Sequence, residues 1–126
     1  MKFLCIAYEE ERKLNMLSKA EWLALRQETL DYVETLRKQG RLILTHALQS
    51  ATTAATVRIR DKERLVTDGP YAETKEQFGG FFLIEAKDLQ DAIGVAAKWP
   101  SAAIGSIEVR PIEEGLRMGG RYRELK

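Results

Sequence analysis

Two runs that are apolar on both faces limit the fold of this chain more than any other feature. Lys2 to Tyr8 carries Phe3-Leu4-Cys5-Ile6-Ala7, and Gly79 to Glu85 carries Phe81-Phe82-Leu83-Ile84. Successive side chains of a strand point to opposite faces, so a strand with no polar alternation belongs mid-sheet with both faces covered. The chain has 126 residues, enough for one domain with a single core and little room for a second. A domain of that size covers both faces of such strands with helices on both sides or with a partner subunit, and a dimer is the simpler expectation.

The remaining pattern supplies the helices and the other strands. Glu9 to Leu17 reads as a charged connection, closed by Ser18-Lys19-Ala20-Glu21. In this capping box Ser18 and Glu21 satisfy each other's free backbone amides. Trp22, Leu25, Thr29, Tyr32, Val33 and Leu36 then recur at helical spacing, and Gly40 supplies a left-handed stop, which predicts a helix over Lys19 to Gln39. Arg41 to Leu48 alternates loosely as a second strand. Past the small-residue link Gln49 to Ala55, Thr56 to Arg60 alternates strictly, with Val57 and Ile59 expected to face inward. Asp61-Lys62-Glu63 is a polar turn, and Arg64 to Thr67 returns as the second arm of a hairpin. Asp88 and Asp91 cap a second helix that Pro100 ends, and the last strand spans Ile104 to Pro111. The order β-α-β-hairpin-β-α-β indicates a split βαβ sandwich: an antiparallel sheet with two helices packed on one face. The tail from Gly115, with Arg117, Arg121 and Arg123, is expected to be mobile or to reach across a dimer.

Composition removes several function classes. The 20 Lys and Arg nearly cancel 19 Asp and Glu, leaving no long-range field to gather nucleic acid or anionic lipid. The single cysteine, Cys5, forms no internal disulfide and sits in an apolar strand, which fits a reducing, cytoplasmic setting. No run approaches the ~18 apolar residues of a membrane span. One His and one Cys without ligand-spaced partners make no tetrahedral metal set. Gly79-Gly80 opens a strand rather than a helix, so it is no phosphate loop, and no cofactor is expected. Phe78 to Leu83 has a superficial likeness to an RNA-recognition motif but lacks its basic opening residue and its register.

The candidate site is the polar turn that leads into the second apolar strand, Thr67-Asp68-Gly69-Pro70-Tyr71-Ala72-Glu73-Thr74-Lys75-Glu76. One interpretation is a rigid corner in which Gly69 takes positive φ, Pro70 fixes φ and the Asp68 carboxylate accepts backbone amides. A second is a site, with Asp68 as acid or base and Tyr71, Glu73 and Lys75 as substrate contacts beside an apolar wall, and a third is a solvated face. Carboxylates near apolar surface have raised pKa values, which suits proton transfer near neutrality. His46, the only histidine, lies late in the second strand, and a meeting with Asp68 would make an oriented base. Arg58, if it faces a cavity, would hold a carboxylate or phenolate in its fork of donors.

The stretch Asp68-Gly69-Pro70-Tyr71 through Phe82, together with Met1 to Leu4, Ala54 to Arg58 and Ser106 to Pro111, resembles the DGPF signature of the YCII-related family over nearly the whole chain. The resemblance implies a ferredoxin-like α+β domain, βαββαβ with an extra hairpin, whose sheets pair into a dimeric α+β barrel. It also implies enzyme-like chemistry, since some members place a histidine and an aspartate together in a cleft. One branch resembles a dehydrochlorinase acting on a chlorinated hydroxyquinol. Asp68 matches the motif's aspartate, whereas His46 lies outside it. The expectation is therefore a homodimeric small-molecule enzyme of proton-transfer, lyase or isomerase type. The alternative is a non-catalytic ligand-binding or regulatory module, since similar domains occur beside extracytoplasmic-function sigma factors.

Overall fold

The computed structural model describes residues 1–115, so the arginine-bearing tail lies outside the described residues. Its elements run β1 (Lys2–Glu9), α1 (Glu11–Asn15), α2 (Lys19–Lys38), β2 (Leu42–Ala47), β3 (Ala55–Arg60), β4 (Glu63–Asp68), β5 (Gln77–Glu85), α3 (Leu89–Ala97) and β6 (Ser106–Pro111). Four strands form one sheet in the order β2-β5-β1-β6, with every neighbouring pair antiparallel. This is the ferredoxin-like arrangement, and it puts the two apolar strands β1 and β5 at the centre, where both edges of each are hydrogen-bonded.

Register sorts the side chains of these strands. Phe3 pairs with Ile84 and Cys5 with Phe82, and these four are fully buried beneath the helices. Val33 and Leu36 of α2, Ala92, Val95 and Ala96 of α3, and Trp99 close over them. Phe82 and Trp99 stack with centroids 3.9 Å apart and planes 9° from parallel. The two helices are tied directly, since Tyr32 Oη donates to the Val95 carbonyl at 2.7 Å. The capping box forms as its sequence predicts, with Glu21 N donating to Ser18 Oγ and Ser18 N to Glu21 Oε1. Gly40 takes φ of 69° at the far end, a conformation with little steric penalty only for glycine. Leu4 and Ile6, paired with Leu83 and Phe81, point to the opposite face of the sheet.

Two expectations are corrected. Val57 and Ile59 do not face inward: they are 60% and 58% exposed. Strict alternation reports that one face of a strand is apolar but not which layer covers it. Here β3 pairs only with β4, through a two-residue turn in which Asp61 and Lys62 both have positive φ, and the hairpin forms a sheet of its own. The charged connection from Glu9 to Leu17 is not irregular throughout, because it contains α1, whose Leu14 is half-buried. Glu10 makes no side-chain cap there, so neither capping nor length marks this helix in the sequence.

Candidate functional site

The apolar stripe of α2 changes its task halfway along. Its C-terminal residues Val33 and Leu36 belong to the core, whereas Trp22, Leu25 and Thr29 roof a cavity of about 750 Å³ between α2 and the end of the sheet. A volume of this size accommodates a small organic ligand. Apolar walls come from Trp22, Leu25, Phe82 and Trp99, and the polar lining includes Glu9, Glu11, Arg26 and Ser101.

Glu9 ends β1, and its carboxylate lies against Gly79 of β5: a Cβ at position 79 would stand 2.9 Å from Glu9 Oε2. The glycine thus makes room for the acid. Loss of water raises the carboxyl pKa of Glu9 above the ordinary value, and the nearby charge of Glu11 adds to the rise. The Ser101 hydroxyl pulls it partly back, although it stands outside hydrogen-bonding geometry. Ser101 is 5% exposed, and its Oγ has no hydrogen-bond partner among the described residues. The Glu9 carboxylate likewise enters no hydrogen bond or ion pair with the described residues. Glu11, by contrast, is engaged: its carboxylate accepts from Ala51 N at 3.2 Å, and its own amide donates to Gln77 Oε1. Gln77 in turn donates to the Thr74 carbonyl at 2.6 Å, which anchors the Asp68-to-Glu76 loop to the start of α1.

The residues singled out in the sequence fall into two places. Asp68 ends β4 and is exposed. The corner after it is held by Gly69, at φ of 101°, whose amide donates to the Ala54 carbonyl at 2.7 Å, and by Thr56 Oγ1 on the Gly69 carbonyl. The Asp68 carboxylate accepts none of the described hydrogen bonds. Tyr71 is 80% exposed, with the Arg58 guanidinium 5.6 Å from its ring centre. Glu73 and Lys75 are exposed and form no ion pair among the described residues. None of these five lines the cavity. His46 does border it, from edge strand β2, with its ring 5.9 Å from that of Phe81. Strand alternation directs His46, like its register partner Phe81, toward the face opposite Phe82, so it borders Glu9's cavity without facing Glu9.

Sequence reasoning missed Glu9 and Ser101. Glu9 opens a charged run, Glu9-Glu10-Glu11-Arg12-Lys13, and looks like the start of a solvated loop. The one available signal was a carboxylate ending an all-apolar strand, with a glycine pair opening the other such strand. Among the described residues no three His, Cys, Asp or Glu side chains gather as a metal site, and no helix is long and apolar enough to cross a membrane.

Comparison with known proteins agrees with this architecture. An uncharacterised protein of Rhizobium meliloti is 34% identical over 114 residues, covering 89% of this chain and 92% of that one. Among solved structures, 5-chloro-2-hydroxyhydroquinone dehydrochlorinase from Burkholderia phenoliruptrix, in complex with 2,5-dihydroxybenzoquinone, is similar in fold. The TM-score is 0.56 at 16% identity, over 93% of this chain and 98% of that one. The YCII-related domain matches residues 1–115, so the chain belongs to the YCII-related family.

Proposed function

We propose that this protein is a small-molecule enzyme that carries out proton transfer in the cavity between α2 and the sheet, with Glu9 as the acid–base group. One observation carries this reading: a carboxyl group drawn partly out of water into an apolar cavity, with its pKa raised and the Ser101 hydroxyl beside it. Such a group holds a proton closer to neutrality than a solvated carboxylate and both takes and returns it readily. The dehydrochlorinase of similar fold supports the reaction class, since elimination of hydrogen chloride needs a group that accepts a proton. Asp68, with Arg58 and Tyr71 at the hairpin end, is assigned no part in proton transfer here, because it is exposed and outside the cavity lining. The working unit in this proposal is a homodimer, in which a second copy covers the sheet face carrying Leu4, Phe81 and Leu83.

A second reading, a ligand-binding module without chemistry, is favoured by the lack of an orienting partner for Glu9 among the described residues. Deuterium exchange separates the two. A panel of small carbonyl and amino compounds is incubated in D2O with the protein and followed by proton NMR. Catalysis predicts exchange at an activated C–H that slows by about a hundredfold or more in Glu9→Gln. Binding shifts without exchange would leave the module reading, and exchange unaffected by Glu9→Gln would remove Glu9 from its role.

A further inference from the structure

We infer that the inner end of the cavity, between Glu9 and Ser101, is a subsite for a protonated amine carried on an apolar or aromatic body. The inference rests on the proposed site and names the chemistry of its ligand. Its starting point is what the inner end lacks. Ser101 offers a hydroxyl that is 5% exposed and has no hydrogen-bond partner among the described residues, and Glu9, half-buried, offers a carboxylate on which that hydroxyl acts. A buried polar group is ordinarily satisfied, so the Ser101 hydroxyl, lining one cavity with the Glu9 carboxylate, marks the place of a missing ligand atom.

The ligand's hydrogen-bonding character follows from the pair. An ionised carboxylate only accepts, while a hydroxyl both accepts and donates. A ligand oxygen that only accepts would be met by Ser101 and repelled by Glu9. An ammonium group donates to both at once, and its charge meets the carboxylate where water has been removed. Glu11 adds a second negative charge close enough to influence Glu9, and the indole of Trp22 in the same lining offers a face that attracts cations. Two basic groups border the cavity: Arg26 on α2 and His46 on β2. Both are exposed, so solvent screens their repulsion more than it screens the attraction of the desolvated Glu9. Aliphatic and aromatic walls from Leu25, Leu30 and Trp99 take the ligand's body.

Trp22 and Trp99 both line the cavity and report occupancy by fluorescence. Phenethylamine, phenethyl alcohol and phenylacetate share a body and differ in the terminal group. Near neutral pH the amine is expected to bind about tenfold more tightly than the other two. Glu9→Gln removes that preference, and Ser101→Ala weakens the amine several-fold. Because a bound ammonium keeps Glu9 ionised, amine binding also releases a proton as pH falls toward Glu9's raised pKa, seen as a calorimetric heat that depends on the buffer. Glu11, Arg26 and His46 bear on that titration, so the release must vanish in Glu9→Gln to be assigned to Glu9. Equal binding of all three probes, or a preference that survives Glu9→Gln, would overturn the amine subsite and leave the proton-transfer reading to its own exchange test. If no probe perturbs either tryptophan, the subsite falls, and D2O exchange alone then decides the fate of the cavity.

Discussion

At the scale of single residues, the interior treats two titratable groups of β1 in different ways, and each gives a prediction. Cys5 is fully buried, and desolvation pushes its thiol up to about 12. The thiolate is the reactive form, so Cys5 should be inert to a disulfide reagent in the native state near neutral pH and react stoichiometrically once the chain is unfolded. Glu9 is buried enough to raise its pKa from the ordinary 4.5. For an acid raised in the folded state, both states are protonated well below the unfolded value and folding carries no penalty. The penalty builds as pH climbs from the unfolded toward the folded pKa and is complete above it. Glu9→Gln should therefore raise Tm by about 1–4 °C near pH 7 and by nearly nothing near pH 4. A fall in Tm at neutral pH would mean that the carboxylate is held by favourable contacts and is not poised for chemistry. Asp68 drew attention in the sequence because polarity changes sharply around it, yet burial is a property of layers. Beyond its place at the end of an apolar strand, nothing local distinguishes Glu9, buried against Gly79 and near Ser101, from Glu10 beside it. Only the β1–β5 register and the turn after α3 bring those groups together.

At the scale of elements, local chemistry was legible where a residue acts on its own neighbours. Ser18 and Glu21 read as a capping box and form one, so Ser18→Ala should cost about 1 kcal/mol by denaturant unfolding, with an unchanged m-value. Strand content and the central position of β1 followed from apolar runs, for the same reason. The fate of an amphipathic face was not legible, because it depends on what lies across from it. The stripe of α2 is one periodic pattern in the sequence, but α3 and Trp99 fill only its C-terminal half, and the N-terminal half is left to roof a cavity. The hairpin shows the same limit, since its alternation predicts an inward-facing apolar side that the structure leaves exposed. A closer test of element packing is Gly105, just before β6. A Cβ there would meet the Tyr8 carbonyl oxygen at 2.3 Å and the Tyr8 carbonyl carbon at 3.3 Å, and backbone cannot swing aside as a side chain can. Gly105→Ala should destabilise by about 2 kcal/mol or more, whereas Gly94→Ala, which meets nothing within 4 Å in α3, should be neutral or stabilising.

At the scale of the whole molecule, helices cover only one face of the sheet among the described residues. Helices α2 and α3 bury the Phe3, Cys5, Phe82 and Ile84 face, while Leu4, Leu83, Leu44 and Phe81 line the other around Ile6, which is itself buried. Leu44 is 44% exposed, and on the separate hairpin sheet Val57, Ile59 and Val66 are also largely exposed. A sheet face lined by apolar side chains and left without a helix layer normally marks an interface. Two copies meeting face to face would bury it symmetrically, each supplying the layer the other lacks. Light scattering coupled to size exclusion should then give about twice the 14.3 kDa chain mass. Leu44→Lys is a suitable disruptor, because Leu44 sits on the edge strand, where a lysine can reach solvent in the separated chain. It should halve the mass and leave a cooperative thermal transition. Met16→Lys, at a residue 83% exposed beside α1, serves as the control that keeps the larger mass. A wild-type mass of one chain, at concentrations well above micromolar, would sink the dimer. Its remaining consequence concerns the cavity: His46 and Phe81 share the face that would be buried, so Leu44→Lys should also weaken probe binding if the second copy forms part of the cavity's mouth, and leave it unchanged if each chain encloses its own site.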